Sequence, residues 1–273
     1  MGEALITEGA AFAVEGLTPQ FVATPASSEE LAAVLQVAAA LEAAVIPWGG
    51  GQHMVLGNTP ARYDVALRTS SLDRVLEYEP TDMTITIEAG ITFKHLQAVL
   101  REHSQFLPID APPEATVGGA LAVGISGPSR HAYGLPRDWL IGCRVAHVDG
   151  SVSKGGGRVV KNVAGYDMPK LAVGSLGTLG VTIEATFKVA PLPVTQETLV
   201  AAFPSFESAS SAVMSVQERD LALRAIVLAD TLEQGSPEAL AGFWLAGSDA
   251  AVDRTRQELN AAVQGASHTW WMT

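Results

Sequence analysis

The 273-residue sequence contains a single cysteine, Cys143, and few positively charged residues. One cysteine excludes an internal disulfide, a CxxC redox pair and the cysteine set that an iron–sulfur cluster needs. With 17 Lys and Arg against 29 Asp and Glu, the formal net charge is −12, and no basic cluster is present. Because nucleic-acid binding depends on clustered Lys and Arg, no nucleic-acid partner is expected. No metal site is expected either.

Long apolar runs are also missing. The most apolar stretch, residues 31–48, contains Gln36 and Glu42, so it is too polar and too short to span a membrane. The N-terminal residues 1–16 lack a basic segment, and a secretory signal is therefore not expected. Hydrophobic residues make up 48% and charged residues 17% of the chain, which favours a folded protein with a sizeable core. A reducing, cytoplasmic compartment fits best.

Glycine-rich loops are the most prominent feature that is present. Residues 47–57 read PWGGGQHMVLG directly after a short β-type run, and residues 174–180 read GSLGTLG. Between them, residues 108–134 form a long Pro- and Gly-rich segment without a sustained period, and such segments are usually functional. Glycine lacks a Cβ and tolerates positive φ, so these loops indicate tight turns or backbone pressed against a ligand.

The two common nucleotide-binding motifs do not fit these loops. A P-loop requires GxxxxGK[ST], and GGGRVVKN at 155–162 places no Lys-Ser or Lys-Thr at that spacing. A Rossmann fingerprint requires GxGxxG opening a helix, whereas GGGQHM ends at Met54 with no helical pattern after it. Backbone N–H groups of several loops can instead form concave nests for a pyrophosphate without any basic side chain. That suits an acidic protein that binds a large dinucleotide.

The remaining pattern predicts alternating helices and strands. Ser27, with Glu30 three residues later, predicts a capping box at the start of a helix. Strands are predicted at 64–69 and 82–90, and an amphipathic helix at 92–104. The run LIGCRVAHVDGSV predicts a hairpin with Asp149-Gly150 at its turn.

Composition shifts after APLPV at 190–194, which places a domain boundary near Val194 and divides the chain into 1–193 and 194–273. Downstream the elements are predicted as β, α (206–219), β, β and α (249–264). These are five of the six elements of a split βαβ, or ferredoxin-like, unit. The tail HTWWMT is short but could supply the sixth.

Three segments in order carry a family resemblance: IPWGGGQHMVLG, EATVGGALAVGISGPSRHAYGLPRDWLIGCRVAHVDGSV and KNVAGYDMPKLAVGSLGTLGVTIEATFKVAP. Over roughly residues 18–193 they resemble the PCMH-type FAD-binding domain of the vanillyl-alcohol-oxidase family. The last segment looks most like an FAD-binding subunit of bacterial glycolate oxidases, also called glycolate dehydrogenases. The resemblance implies an α+β fold: a two-part PCMH-type FAD-binding domain, 1–193, followed by a small ferredoxin-like domain, 194–273.

The resemblance also implies which residues hold the cofactor. The residues implied to wrap the FAD pyrophosphate are Gly49, Gly50, Gly51, Gln52, His53 and Met54, closed by Gly57. Those implied along the rest of the cofactor are Thr116, Val117, Gly118, Gly119, Gly127, Arg130, Tyr133, Asp138, Val181 and Ile183. FAD is expected to be noncovalent, since GGGQH is displaced by one residue from a GGH attachment pattern. The GYD at Tyr166 and Asp167 is either cofactor-proximal or a turn.

Several of these residues have a structural alternative. Gly118 and Gly119 would equally permit close packing of the helix that follows them. Asp138 would serve as a helix or turn cap, and Arg130 would pair with a surface carboxylate. A side chain at Gly50 or Gly118 is expected to block the approach of FAD.

Oxidation of a 2-hydroxy acid needs a cation for the substrate carboxylate and a base for the hydroxyl proton. His95 and His103 fall on the amphipathic helix and are expected to be structural or exposed. His131 beside Arg130 is therefore the candidate pair for catalysis. The resemblance implies a larger substrate cap with His and Arg near the flavin, whereas 194–273 is short and contains one histidine, His268, so this region is either a short or a truncated cap.

Three functions remain open. The first is an FAD-binding subunit of a glycolate-oxidising complex, whose electrons must pass to an iron–sulfur partner alongside a second flavoprotein subunit. Any membrane association would then run through partner subunits. The second is a stand-alone FAD-dependent 2-hydroxy-acid dehydrogenase, and the third a noncatalytic assembly subunit with structural FAD. No residue distinguishes glycolate from lactate.

Overall fold

The computed structural model describes residues 9–157, 168–219, 221–230 and 238–272. These residues form two compact units, each considered separately below. The first unit comprises the described residues up to Ile125 together with those of Leu135–Pro191. The second comprises Ser126–Gly134 and the described residues from Leu192 onward. None of the helices in the described part of the chain combines the length and apolar character needed for a bilayer span.

The first unit alternates short helices and strands. Up to Ile125 its elements in chain order are a 3₁₀ turn at Gly9–Phe12, β1 (Phe21–Ala23), α1 (Ser28–Ala40), β2 (Val45–Trp48), β3 (Val65–Arg68), β4 (Val75–Glu79), β5 (Thr84–Glu88), α2 (Phe93–Arg101), β6 (Gln105–Phe106) and α3 (Val117–Val123). Helix α4 (Arg130–Tyr133) belongs to the second unit. The first unit then continues with α5 (Pro136–Trp139), β7 (Leu140–Ala146), β8 (Val152–Gly156), α6 (Met168–Ala172), β9 (Val181–Lys188) and β10 (Ala190–Pro191).

Two main sheets organise this unit. Strands β1, β3 and β2 form a parallel sheet in that order, with α1 connecting β1 to β2. Strands β4, β5, β9, β7 and β8 form an antiparallel sheet in that order. The predicted hairpin is confirmed, because β7 pairs with β8 and Gly150 at the turn has φ +81°. Buried side chains of β5 and β9, among them Ile85, Ile87 and Phe187, pack with Leu96 and Leu100 of α2.

The start of α1 shows the predicted capping in a modified form. The Ser27 hydroxyl accepts the N–H of Glu30 at 3.2 Å, as expected of an N-cap. The Glu30 carboxylate, however, accepts the N–H of Ala26 at 2.8 Å rather than that of Ser27. Two backbone donors at the helix start are therefore satisfied, and Leu31 and Leu35 turn into the core.

The second unit has a four-stranded antiparallel sheet with two long helices. Its elements are α4 (Arg130–Tyr133), β11 (Thr195–Phe203), α7 (Phe206–Gln217), β12 (Leu223–Ala229), β13 (Ala239–Gly247), α8 (Asp249–Ala262) and β14 (His268–Met272). The strand order is β12-β13-β11-β14. The tail that was left open is a strand, since β14 pairs with β11 from His268 to Met272. Phe203 and Phe243 lie in a buried core with Val216 of α7 and Leu259 of α8.

Residues 126–134 depart from the predicted division of the chain at 193. That division assigned them to the first domain, but they group with the second unit. The reason lies in Tyr133, whose ring has the Arg224 guanidinium of β12 5.6 Å from its centroid. The ring of Trp244 on β13 also lies 6.4 Å away. An aromatic and cationic contact thus holds this segment on the second unit's sheet.

Candidate functional site

A cleft of about 210 Å³ lies where β2 runs into the glycine loop of residues 49–57. In sheets of parallel strands, ligands bind at the carboxyl ends of the strands, and this cleft follows that rule. The predicted residues that line it are Gly49, Gly50, Gly51, Gln52, His53, Met54, Thr116 and Gly119. The structure thus brings together the glycine loop and the start of α3, although more than 60 residues separate them in the chain.

Two glycines of the loop are required by its packing against residues 114–116. A Cβ at Gly49 would stand 2.1 Å from the Thr116 hydroxyl oxygen, and one at Gly50 would stand 2.3 Å from the Glu114 carbonyl oxygen. Gly51 adopts φ +69°, which disfavours any residue with a side chain. Only glycine lets the loop lie this close to a second backbone segment. A side chain at Gly50 would therefore clash with the protein itself, and whether it would also block the approach of FAD stays a prediction.

The loop presents backbone donors that the protein does not use. Within the described residues, the N–H groups of Gly50, Gly51, Gln52 and His53 have no hydrogen-bond acceptor. The Gln52 side chain donates to the Gly50 carbonyl at 3.2 Å, and the His53 carbonyl accepts the N–H of Leu56 at 3.1 Å, so the turn is internally braced. Successive free N–H groups in a turn attract anionic oxygen atoms. This arrangement suits a phosphate or pyrophosphate.

Charged side chains are missing from the described residues that line the cleft. They include no Asp, Glu, Lys or Arg, and His53 is the single titratable residue among them. An acidic protein can therefore hold an anion here without repulsion from a neighbouring carboxylate. Recognition would fall on backbone dipoles and on the apolar walls formed by Ile46, Pro47 and Ala122.

The segment TVGG at 116–119 divides into two roles. The Thr116 hydroxyl accepts the N–H of Gly119 at 3.3 Å, which caps α3, and both residues line the cleft. Val117 is fully buried in the core, and a Cβ at Gly118 would stand 3.0 Å from the Ala89 carbonyl oxygen. Val117 and Gly118 therefore pack against the sheet, and the packing alternative is correct for Gly118.

Residues 19–156, about half of the chain, match the family model described as "FAD binding domain". The chain belongs to this FAD-binding family. The residues of the cleft are chemically suited to FAD, because free backbone amides and the absence of acidic side chains among the lining residues suit its pyrophosphate. The cleft is smaller than the ~300–1,000 Å³ typical of sites for whole organic ligands, so its size would suit only part of FAD.

The curated relatives that match this chain are named as oxidase subunits or dehydrogenases of 2-hydroxy acids. The glycolate oxidase subunit GlcD of Bacillus subtilis is 29% identical over 72% of this chain and 43% of its own length. The glycolate oxidase subunit GlcE of Escherichia coli is 42% identical over 44% of this chain and 35% of its own length. D-Lactate and D-2-hydroxyglutarate dehydrogenases also match. The chain spans less than half the length of these curated relatives.

A solved structure extends the likeness to the fold of nearly the whole chain. An alkyldihydroxyacetonephosphate synthase superposes with a TM-score of 0.78 over 93% of this chain and 52% of its own. Its sequence identity is 22%, so the match shows the fold alone. The mixed α/β fold with an FAD-binding domain is thereby shown.

Several residues implied to contact FAD have other positions in the structure. Val181 and Ile183 are buried in a core cluster with Leu31 and Leu67, and they do not line the cleft. Asp138 accepts the N–H of Leu135 at 2.8 Å and so caps α5, as its structural alternative proposed. The residues of the 126–134 segment, Gly127, Arg130, His131 and Tyr133, belong to the second unit. Tyr166 and Asp167 lie outside the described residues.

Leu176, in the 174–180 loop, was not among the residues predicted to contact the cofactor. Leu176 lines the cleft, and its N–H donates to the Ala122 carbonyl at 2.7 Å. Gly57, which was expected to close the glycine loop around FAD, does not line the cleft but lies beside the Leu176 side chain. The glycine spacing of GSLGTLG was the available signal, yet it does not say which intervening residue faces the ligand.

Next to this cleft, the phenol of Tyr63 is buried without a hydrogen-bond partner among the residues that the structure describes. Tyr63 packs with Val14 and Val22, and Met54 of the glycine loop contacts the same cluster. Its hydroxyl has no hydrogen-bond partner in the described part of the chain, and burial raises the pKa of Tyr63 to about 12. The floor beside the glycine loop thus carries an unsatisfied polar atom, which costs stability.

Proposed function

We propose that this chain is an FAD-binding oxidoreductase subunit of a multisubunit glycolate oxidase, or glycolate dehydrogenase, acting in the oxidation of glycolate to glyoxylate. The observation that carries the proposal is the cleft of free loop amides in a chain of the FAD-binding family. The 42% identity to GlcE over 122 residues supports the choice of glycolate.

The amides of Gly50, Gly51, Gln52 and His53 would hold the pyrophosphate, and no side chain would be needed to neutralise it. FAD, when bound, supplies the acceptor for the hydride that leaves the carbon bearing the hydroxyl group. His131 is proposed to accept the hydroxyl proton, and Arg130 to pair with the substrate carboxylate. Both are exposed on the single turn α4, and neither has an ion-pair partner within the described residues.

The electrons then have to leave the chain. Because the sequence contains one cysteine, it cannot itself supply the ligands of an iron–sulfur cluster. We therefore propose an iron–sulfur partner and a second flavoprotein subunit, in a cytoplasmic complex whose contact with membranes runs through those partners. The second unit, with its βαββαβ order and strand order β12-β13-β11-β14, is proposed to be ferredoxin-like and to belong to this assembly.

A second candidate function is a stand-alone FAD-dependent 2-hydroxy-acid dehydrogenase. It is favoured by the match to a D-2-hydroxyglutarate dehydrogenase of Xanthomonas citri, 32% identical over 69% of this chain. A third, a noncatalytic assembly subunit with structural FAD, remains the alternative if substrate never reduces the cofactor. The two enzymatic functions differ in whether the isolated chain turns over.

The deciding experiment is the visible spectrum of the purified chain before and after anaerobic addition of glycolate, D-lactate or D-2-hydroxyglutarate. The subunit proposal expects flavin bands that persist in the isolated chain and bleach with glycolate once partners are added. Bleaching by the chain alone would favour the stand-alone enzyme. Bands that persist under all conditions, including the reconstituted complex, would favour the assembly role. His131→Asn should abolish bleaching while leaving the bound-flavin spectrum unchanged, with exposed His95→Asn as the control.

A further inference from the structure

Leu176 adopts a backbone conformation that the rest of its loop assigns to glycine. Its φ is +52°, in the left-handed region where a Cβ is unfavourable. The same loop has Gly174, Gly177 and Gly180 at φ +78°, +75° and +139°. Glycine thus occupies three of the four left-handed positions of the loop, and leucine occupies the fourth. A side chain is present at the one position where it conflicts with the backbone.

The surrounding loop holds this conformation in place. The N–H of Leu176 donates to the Ala122 carbonyl at 2.7 Å, and the N–H of Gly174 donates to the Leu121 carbonyl at 2.9 Å. Ser175 donates its hydroxyl to the Ala172 carbonyl at 2.9 Å. The loop is therefore fastened to the C-terminal end of α3, the helix whose first turn lines the FAD cleft.

Core packing does not offset the strain. Leu176 is 48% exposed, so much of the side chain lies outside the protein interior. Leu176 lines the cleft, and its Cδ1 atom lies 3.6 Å from where a Cβ on Gly57 would stand. The side chain accordingly fills the space between the 174–180 loop and the end of the glycine loop. A strained, half-exposed leucine at the wall of a ligand cleft indicates a role in binding rather than in folding.

We propose that Leu176 is a positioning residue that packs against bound FAD at the cleft wall and slows its release, an inference that rests on the proposed FAD site. The amides of residues 50–53 would hold the anionic oxygens, and Leu176 would supply the apolar contact on another side. Contacts of this kind act chiefly on dissociation rather than on association.

The test compares Leu176→Gly and Leu176→Ala with the wild-type chain, using FAD itself as the probe. Glycine removes both the side chain and the backbone strain, whereas alanine removes most of the side chain and keeps the strain. Leu179→Ala is the matched control, because Leu179 is 57% exposed in the same loop and does not line the cleft. Release is followed by dilution of the FAD-loaded chains into excess of an FAD-specific apoflavoprotein, and thermal unfolding is followed on the FAD-free chains.

The proposal expects both Leu176 variants to release FAD about five- to tenfold faster, and Leu179→Ala to release it at the wild-type rate. It also expects the FAD-free Leu176→Gly chain to unfold at a higher temperature than wild type. Wild-type release rates in both Leu176 variants would overturn the proposal while leaving FAD binding intact. A wild-type chain that binds no FAD would overturn the FAD site as well. Because no substrate is added, failure of the glycolate assignment would not alter these rates.

Discussion

The carbonyl oxygen of Glu114 stands 2.3 Å from the position that a Cβ at Gly50 would occupy. Gly50 also presents an N–H group without an acceptor in the described part of the chain. One residue therefore serves both the packing of the loop and the proposed contact with the pyrophosphate. Substitution at Gly50 consequently tests both functions at once, and a second position is needed to separate them.

Gly50→Ala is expected to lower the free energy of unfolding by about 1–3 kcal/mol, because the methyl group must displace the 114–116 backbone. FAD affinity should fall in parallel as the loop moves. Urea unfolding of the FAD-free chain and fluorescence titration with FAD measure the two effects. Gly265→Ala is the control, since a Cβ there meets nothing within 4 Å. Unchanged stability together with full FAD occupancy would contradict the packing and the pyrophosphate assignments.

Gly119→Ala separates ligand binding from stability. Gly119 lies within α3 and lines the cleft, and the nearest neighbour of an added Cβ is the Thr116 hydroxyl at 3.1 Å. Alanine favours a helix over glycine by roughly 0.5–1 kcal/mol, which should offset that close contact. We expect stability within about 0.5 kcal/mol of wild type but an FAD dissociation constant about tenfold higher. Equal affinity in a titration would show that FAD does not reach this wall.

The buried Glu88 should make stability depend on pH in the acid range. Burial by itself raises the pKa of Glu88, but hydrogen bonds from the Arg74 guanidinium and N–H, together with its charge, outweigh burial and hold the pKa below its ordinary 4.5. An unfolded chain therefore binds this proton first as the pH falls. The Arg74–Glu88 pair contributes fully to the free energy of unfolding above about pH 4.5. This contribution is lost as the pH falls through the lower pKa that Glu88 has in the folded state.

Arg74→Ala should accordingly lower the free energy of unfolding at pH 7, because the buried Glu88 carboxylate loses its guanidinium partner and keeps only the backbone N–H of residue 74 as a donor. The cost should shrink at pH 3.5, where Glu88 is closer to protonation in the wild type. Urea unfolding at the two pH values measures this difference. Lys94→Ala removes the exposed partner of Glu114, 4.0 Å away, and should change stability by about 0–0.5 kcal/mol. An equal cost of Arg74→Ala at both pH values would exclude a charge-based origin.

Tyr63→Phe should stabilise the protein. Its hydroxyl is buried and has no partner within the described ranges of the chain, so its removal should raise the free energy of unfolding by roughly 1 kcal/mol at pH 7. Burial raises the pKa of Tyr63 to about 12, and the unfolded chain therefore loses this proton first, from about pH 10. Wild-type stability should then fall between pH 10 and 12, by roughly 1 kcal/mol at pH 11, and the variant should lack this component.

Tyr78→Phe provides the matched control of opposite sign. The Tyr78 hydroxyl donates to the Gln105 side chain at 2.8 Å, so its removal should destabilise by about 1 kcal/mol. Chemical unfolding of both variants at pH 7 and pH 11 gives the comparison. A destabilised Tyr63→Phe protein would mean that the hydroxyl has a partner, such as an ordered water, in solution.

Local patterns in the sequence were sufficient where the physical cause is local. The hairpin at Asp149-Gly150 and the helix after Ser27 both formed, because turn chemistry and capping depend on residues a few positions apart. The order of glycine segments likewise indicated the FAD-binding family. Residue assignments inside those segments were less secure: Gly118 and Gly119 are adjacent, yet one packs on Ala89 and the other lines the cleft.

The amino-acid sequence by itself determined the acidic charge, the single cysteine and the glycine loops, which together predict a dinucleotide site that relies on backbone groups. Tertiary structure decided which residues of the loops face the cleft. A glycine looks the same in the sequence whether a ligand or another backbone segment lies against it. It also assigned the 126–134 segment to the second unit through Tyr133 and revealed the left-handed Leu176 at the cleft wall. Both depend on contacts between residues far apart in the chain, and no local pattern encodes those distances.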